Sequence, residues 1–200
     1  TQESFYALED ARSLSTGYGS TLAVLRGTPG QLQFLDANNQ PQKTLDITGL
    51  SQPFHKSTVT INGNIALIGA SDGGFVAMDI EKGKQLTQIL SPKGITNAIS
   101  VFGNYAFAGN GEDGISVVEI ASNNKFNLLG SLLLNSTFSS NMVVYQDDLI
   151  FIADGLGGLN ILAMDTGKAE SCGGNQGNAQ GNKKVKICHI PPGNPNNRLT

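Results

Sequence analysis

Residues Gly103 to Ile120 read GNYAFAGNGEDGISVVEI. Two short apolar runs flank a turn rich in Gly, Asn and Asp. Runs of this length, bounded by residues that tolerate positive φ, predict two β-strands joined by a hairpin. The pattern is written three more times. The residues opening the first run are Leu22, Ile65, Tyr105 and Leu149, spaced by 43, 40 and 44. The acidic residues closing the second run are Asp36, Asp79, Glu119 and Asp165, spaced by 43, 40 and 46. Two anchors that drift together mark an internal repeat.

Within each unit the first run alternates poorly, as in Ile65-Ala66-Leu67-Ile68, which predicts a strand buried on both faces. The turns Ser71–Gly74, Asn110–Gly114 and Asp154–Gly158 have hairpin chemistry. A further strand is expected before each pair, at Ser57–Ile61, Thr96–Phe102 and Ser139–Tyr145. Another is expected after it, at Gln42–Ile47, Gln85–Leu90 and Phe126–Leu133. Four antiparallel strands in roughly 40–45 residues is the content of one β-propeller blade. The expected fold class is all-β, a propeller of four-stranded antiparallel blades with about four repeats over residues 19–167, followed by an irregular tail.

Residues 1–18 hold an orphan strand candidate, Ser4–Leu8. It either closes a ring by completing the last blade or ends a blade that precedes this stretch. The fourth unit is expected to lack its outer strand, because Gly167 leads straight into polar sequence. Residues 168–184 read as a Gly/Asn-rich linker with almost nothing to bury. Residues 185–200 form a separate short piece.

Composition narrows the class. Gly is 25 of 200 residues and charged residues are 14%, which suits many tight turns and not a helical bundle. The net charge is −3 and the one dense basic run is Lys183-Lys184-Val185-Lys186, so no nucleic-acid partner is expected. No apolar run is long enough for a membrane-spanning helix. The polar start Thr1-Gln2-Glu3-Ser4 has no signal-peptide pattern and no initiator Met, and reads as a mature or excised piece of a longer precursor.

Two stretches resemble known families. The closing elements Val76-Ala77-Met78-Asp79, Val117-Val118-Glu119 and Leu162-Ala163-Met164-Asp165 resemble those of the LVIVD-repeat β-propellers, over residues 19–166. Glu119 departs from the family's Asp. The tail Lys186-Ile187-Cys188-His189-Ile190-Pro191-Pro192-Gly193-Asn194-Pro195 resembles the start of the CHxPPGNP module of exported Bacteroidota proteins. Together the resemblances imply export to the bacterial cell surface or outer membrane, with the periplasm as the other compartment. They imply no general catalytic motif.

The chemistry-bearing residues are few. Cys172 and Cys188 are the two cysteines, and a disulfide between them is expected, the alternative being pairing outside this stretch. Cys188-His189 has too few companions for zinc, so no metal site is expected. The acidic turns supply one or two carboxylates each, too few for calcium. His55 stands alone in its loop. Thr58-Val59-Thr60, Asn97-Ala98-Ile99-Ser100 and Ser140-Asn141-Met142-Val143, on the expected innermost strands, carry no charge. No catalytic residue and no cofactor is therefore expected. The reading is a non-catalytic binding or scaffold module with a protein partner in an outer-membrane or surface assembly, a glycan being the second candidate. The competing readings are a polysaccharide-acting enzyme with a channel site and a structural spacer of an adhesin.

Overall fold

The computed structural model describes residues 8–48, 50, 55–92, 95–134, 137–165 and 186–190. They form four antiparallel sheets of four strands, each in sequence order. The first sheet is β1 (Ala11–Tyr18), β2 (Thr21–Arg26), β3 (Gln31–Leu35) and β4 (Pro41–Asp46). The second is β5 (Thr58–Asn62), β6 (Ile65–Gly69), β7 (Phe75–Asp79) and β8 (Lys84–Ile89). The third is β9 (Ala98–Phe102), β10 (Tyr105–Gly109), β11 (Ile115–Ile120) and β12 (Phe126–Leu132). The fourth is β13 (Met142–Gln146), β14 (Leu149–Ala153), β15 (Leu159–Asp165) and β16 (Lys186–Ile190). The strands predicted before and after each hairpin are present, with ends shifted by at most three residues.

The chain divides into two compact units, Thr1–Ile99 and Ser100–Thr200. In the first unit, Leu25, Leu32, Phe34 and Leu45 of the first sheet meet Val59, Ala66, Ile68, Val76 and Met78 of the second in one buried cluster. Large side chains of this kind contribute about 1.5–3 kcal/mol each when fully buried. In the second unit, Val143, Ile150, Ile152 and Leu162 are buried on one face of the fourth sheet. The Tyr145 ring stacks on Phe102 at 4.2 Å and on Phe107 at 5.2 Å.

Hydroxyls add a second kind of contact. Within the first unit, the Val59 and Ile61 amides donate to Ser13 Oγ and Ser15 Oγ, both at 3.1 Å. There too the Ile99 amide donates to Thr58 Oγ1 at 3.1 Å, and Thr60 Oγ1 donates to the Ile99 carbonyl at 2.9 Å. In the second unit the Tyr145 amide donates to Ser100 Oγ at 3.4 Å. In the first three sheets the first strand thus engages Ser and Thr side chains with the backbone of the next sheet's first strand.

Two of the acids that close the third strands, Asp36 and Asp79, are turn caps. Asp36 Oδ1 accepts the Asn38 and Gln40 amides at 2.8 and 2.9 Å. Asp79 Oδ1 accepts the Lys82 amide at 2.9 Å and Asn64 Nδ2 at 3.1 Å. The Lys82 amide, above all, holds the Asp79 carboxyl below its usual range. Glu119 Oε2 accepts Asn127 Nδ2 at 3.1 Å, a bond between side chains and not to the turn.

Four expectations need correction. Ile65 pairs with Asp79 and Tyr105 with Glu119, but Leu149 pairs with Ala163. Asp165 therefore lies two residues beyond the acid's place in the repeat, and Ala163 occupies it. Leu22 pairs with Leu35, which sets Thr21, not Leu22, opposite Asp36. The fourth sheet does have its fourth strand. It comes from the tail, where Cys188 stands opposite Ala163 and Ile190 opposite Ile161. The start of the CHxPPGNP-like stretch is thus part of the fourth sheet and not a piece apart. Residues 1–18 also hold β1, the first strand of the first sheet, which the sequence reading did not name; Leu8 is not in a strand, and the rest of the Ser4–Leu8 candidate, with the role expected of it, lies outside the described residues. So do the linker, residues 168–184, and Cys172.

Candidate functional site

The turns joining the second and third strands repeat one geometry three times. Ala70, Asn110 and Asp154 each donate their amide four residues on, to Gly74, Gly114 and Gly158, at 2.7–2.8 Å. The second turn residue is left-handed each time: Ser71 at φ 54°, Gly111 and Gly155 at 58°. In the first unit Ser71 exchanges two backbone hydrogen bonds with Thr96, at 3.1 and 3.0 Å. In the second, Gly111 does the same with Ser140, at 3.2 and 2.9 Å.

The glycine that ends the turn has a steric cause. A Cβ on Gly74 would lie 2.2 Å from the Ile89 carbonyl oxygen, and one on Gly114 would lie 2.1 Å from that of Leu132. Fourth-strand backbone sits where the side chain would be.

In the second unit one of these turns walls a cavity of about 340 Å³. Leu132, Leu133, Leu134 and Phe138 form its apolar side; Asp154, Gly157 and Asn160 form the other. Asp154 is buried, its Oδ1 accepting Ser140 Oγ at 2.8 Å and its Oδ2 accepting Asn160 Nδ2 at 3.2 Å. The carboxylate ties the turn to the segment before β13 and to β15. In the third sheet the same two positions hold Asn110 and Ser116, joined at 2.7 Å. Asp154 is the single titratable side chain lining the cavity among the described residues. Such a site can seat an apolar group and orient a polar one; an acid–base pair is not assembled there.

The residues singled out in the sequence do not converge on it. His55 Nδ1 lies 3.6 Å from Asp72 Oδ1, both partly exposed. Asp72 and Glu112 are exposed, whereas Asp154 is buried. Among the described residues, no three His, Cys, Asp or Glu side chains are grouped as metal ligands. Cys188 has its backbone in β16, and the expected disulfide partner Cys172 is outside the described residues. The cavity itself was missed, because its walls come from three separated stretches. The one available signal was Asp154, a buried carboxylate where the second sheet has Ala70.

Four-stranded antiparallel sheets repeated in sequence order define a β-propeller, and solved structures agree. The chain is similar to the computationally designed Ika4 protein, at 16% identity and TM-score 0.65, over 80% of this chain and 97% of that one. It is similar to BamB from Moraxella catarrhalis, at 16% identity and TM-score 0.61, over 78% and 48%. It is similar to the Cps50 (Swd1) β-propeller domain of Myceliophteria thermophila, at 16% identity and TM-score 0.61, over 80% and 54%. The chain spans about half the length of the last two. Residues 93–132, which include the whole third sheet, match the model of the LVIVD repeat. No curated protein sequence matches the chain.

Proposed function

We propose that this chain is a non-catalytic binding or scaffold propeller of the bacterial cell surface, and that it holds a protein partner in an outer-membrane or surface assembly. The observation that carries this reading is the cavity beside the Asp154 turn. It has a leucine- and phenylalanine-lined wall, and Leu156, in the same turn as the lining residues Asp154 and Gly157, is 94% exposed. An apolar recess beside an exposed leucine suits a protein side chain better than a sugar, which would need more polar partners. The hydroxyls of the first strands support the reading too, since those of Ser13, Ser15, Thr58, Thr60 and Ser100 are engaged with backbone. Cell-surface placement is supported by the resemblance of the Lys186–Pro195 stretch to a module of exported proteins.

The test is a mild-detergent pull-down of the tagged protein from its native envelope, with partners identified by mass spectrometry. A stoichiometric envelope protein is expected, and Leu156→Glu should abolish its recovery. Recovery of the chain alone overturns the reading.

A further inference from the structure

The turn that walls the cavity does not need its carboxylate. Ala70, Asn110 and Asp154 hold one position, donate the same backbone hydrogen bond to the glycine four residues on, and are all buried. The second sheet makes this turn with a methyl group and the third with a neutral amide. A carboxylate there carries a desolvation cost that the other two avoid.

That cost is only partly offset within the chain. The two side-chain donors to Asp154, the Ser140 hydroxyl and the Asn160 amide, are both neutral. Among the described residues no ion pair reaches it. An ionised carboxylate has about four acceptor sites, so about two are left over by these donors.

Room is kept beside it. A Cβ on Gly157 would lie 2.6 Å from Asp154 Oδ2 and 2.7 Å from Phe138 Cδ2. The φ of Gly157 is not positive, and Asp113 holds its place in the third sheet, so the turn itself admits a side chain there. The glycine thus leaves a gap between the carboxylate oxygen and the ring. Leu132, Leu133 and Leu134 continue the apolar wall of the cavity, whose 340 Å³ or so is at the small end of ligand pockets.

We infer that the cavity seats a lysine side chain of the protein partner, with its methylene stem on the leucine and phenylalanine wall and its ammonium on Asp154. This rests on the reading of the chain as a protein-binding module. Lysine packs its stem against apolar surface while its head takes a polar partner, and the cavity offers both. A wholly apolar side chain would seal the carboxylate away from water without a counter-charge. Arginine fits less well, because its fork pairs best with both oxygens of a carboxylate, and here each already accepts a bond.

The test is a titration of the nitrogen-15-labelled 200-residue chain with Nα-acetyl-lysine methylamide, followed by its amide shifts. The blocked lysine should move the Leu132, Leu133, Leu134, Gly157 and Asn160 amides saturably in the millimolar range. Blocked norleucine, its neutral counterpart, should bind about tenfold more weakly. Asp154→Asn should bring lysine down to the norleucine level while keeping the parent circular dichroism spectrum, since Asn110 makes the same turn. Gly157→Ala keeps the charge and fills the gap, and should weaken both ligands. Norleucine binding as well as lysine overturns the inference. So does blocked arginine binding more tightly than lysine, or a lysine titration that moves none of these amides. A pull-down with Asp154→Asn separates this inference from the scaffold reading. A partner recovered equally by variant and parent overturns the lysine contact and leaves that reading standing. A parent that recovers nothing overturns the reading, and the titration alone then decides whether the cavity takes lysine.

Discussion

The phenol of Tyr145 donates to Oδ1 of Asp148 at 2.7 Å, across a two-residue hairpin turn in which Asp147 and Asp148 both have positive φ. Burial, and then the Asp148 bond, push the phenol up to about 12. A raised pKa stabilises the fold fully below the unfolded value of about 10, and that part is lost as pH rises towards 12. Ultraviolet titration should show one of the four tyrosines ionising last. Tyr145→Phe keeps the stacking on Phe102 and Phe107 and should cost about 1 kcal/mol. Tyr145→Ala removes the ring and should cost about 3–5 kcal/mol in denaturant melts.

Asp79 gives the opposite pH dependence. Its pKa is lowered from 3.8, so its contribution is present above that value and lost as pH falls through the folded one. Asp79→Asn should lower the melting temperature at neutral pH. The gap between variant and parent should narrow as pH falls below 3.8 and through the lowered folded value. A gap that stays constant with pH would show that the carboxylate's charge is not what holds the turn.

Gly114 and Gly158 hold the same place in their turns, at φ 72° and 76°. An alanine at either is forced into a positive-φ conformation that side-chain-bearing residues rarely adopt, at a cost of about 1–3 kcal/mol. At Gly114 the Cβ also meets the Leu132 carbonyl, whereas at Gly158 nothing lies within 4 Å. Gly114→Ala should therefore be clearly the more destabilising in thermal melts.

Ser13→Ala and Ser15→Ala should each cost about 1 kcal/mol by leaving the Val59 or Ile61 amide without its hydroxyl acceptor. Hydrogen exchange at those two amides should quicken in the matching variant, and exchange at Leu67 should not.

The tail strand makes a separate prediction. Replacing Ile187 and Cys188 together by proline removes two adjacent amides, so at least one ladder bond to β15 is lost. Exchange should then quicken in Ala163 and Ile161, while β14 stays protected.

How far the fold was legible depended on what each strand does with its side chains. β6, β7, β10 and β11 are apolar on both faces, so Ile65–Asp79 and Tyr105–Glu119 could be aligned from residues alone. β1 escaped because Ser13 and Ser15 serve as backbone acceptors, where an apolar alternation would otherwise have marked a strand. β16 escaped because residues 166–185 separate it from β15. Asp165 misled because an acid two places late still resembles the repeat. The cavity joins Leu132–Leu134, Phe138 and the Asp154 turn, a meeting that only three-dimensional packing reveals.

The late position of β16 also orders events in time. At about 5–20 residues per second, a ribosome needs on the order of 1–5 s to pass from the end of β15 to the end of β16. Throughout that interval the nascent chain shows the open edge of β15, after the strands of the first three sheets have already emerged. An open edge is a template for any passing strand. Among the steps that complete these four sheets, the one most exposed to chaperones and to mispairing during synthesis is therefore the arrival of Lys186–Ile190.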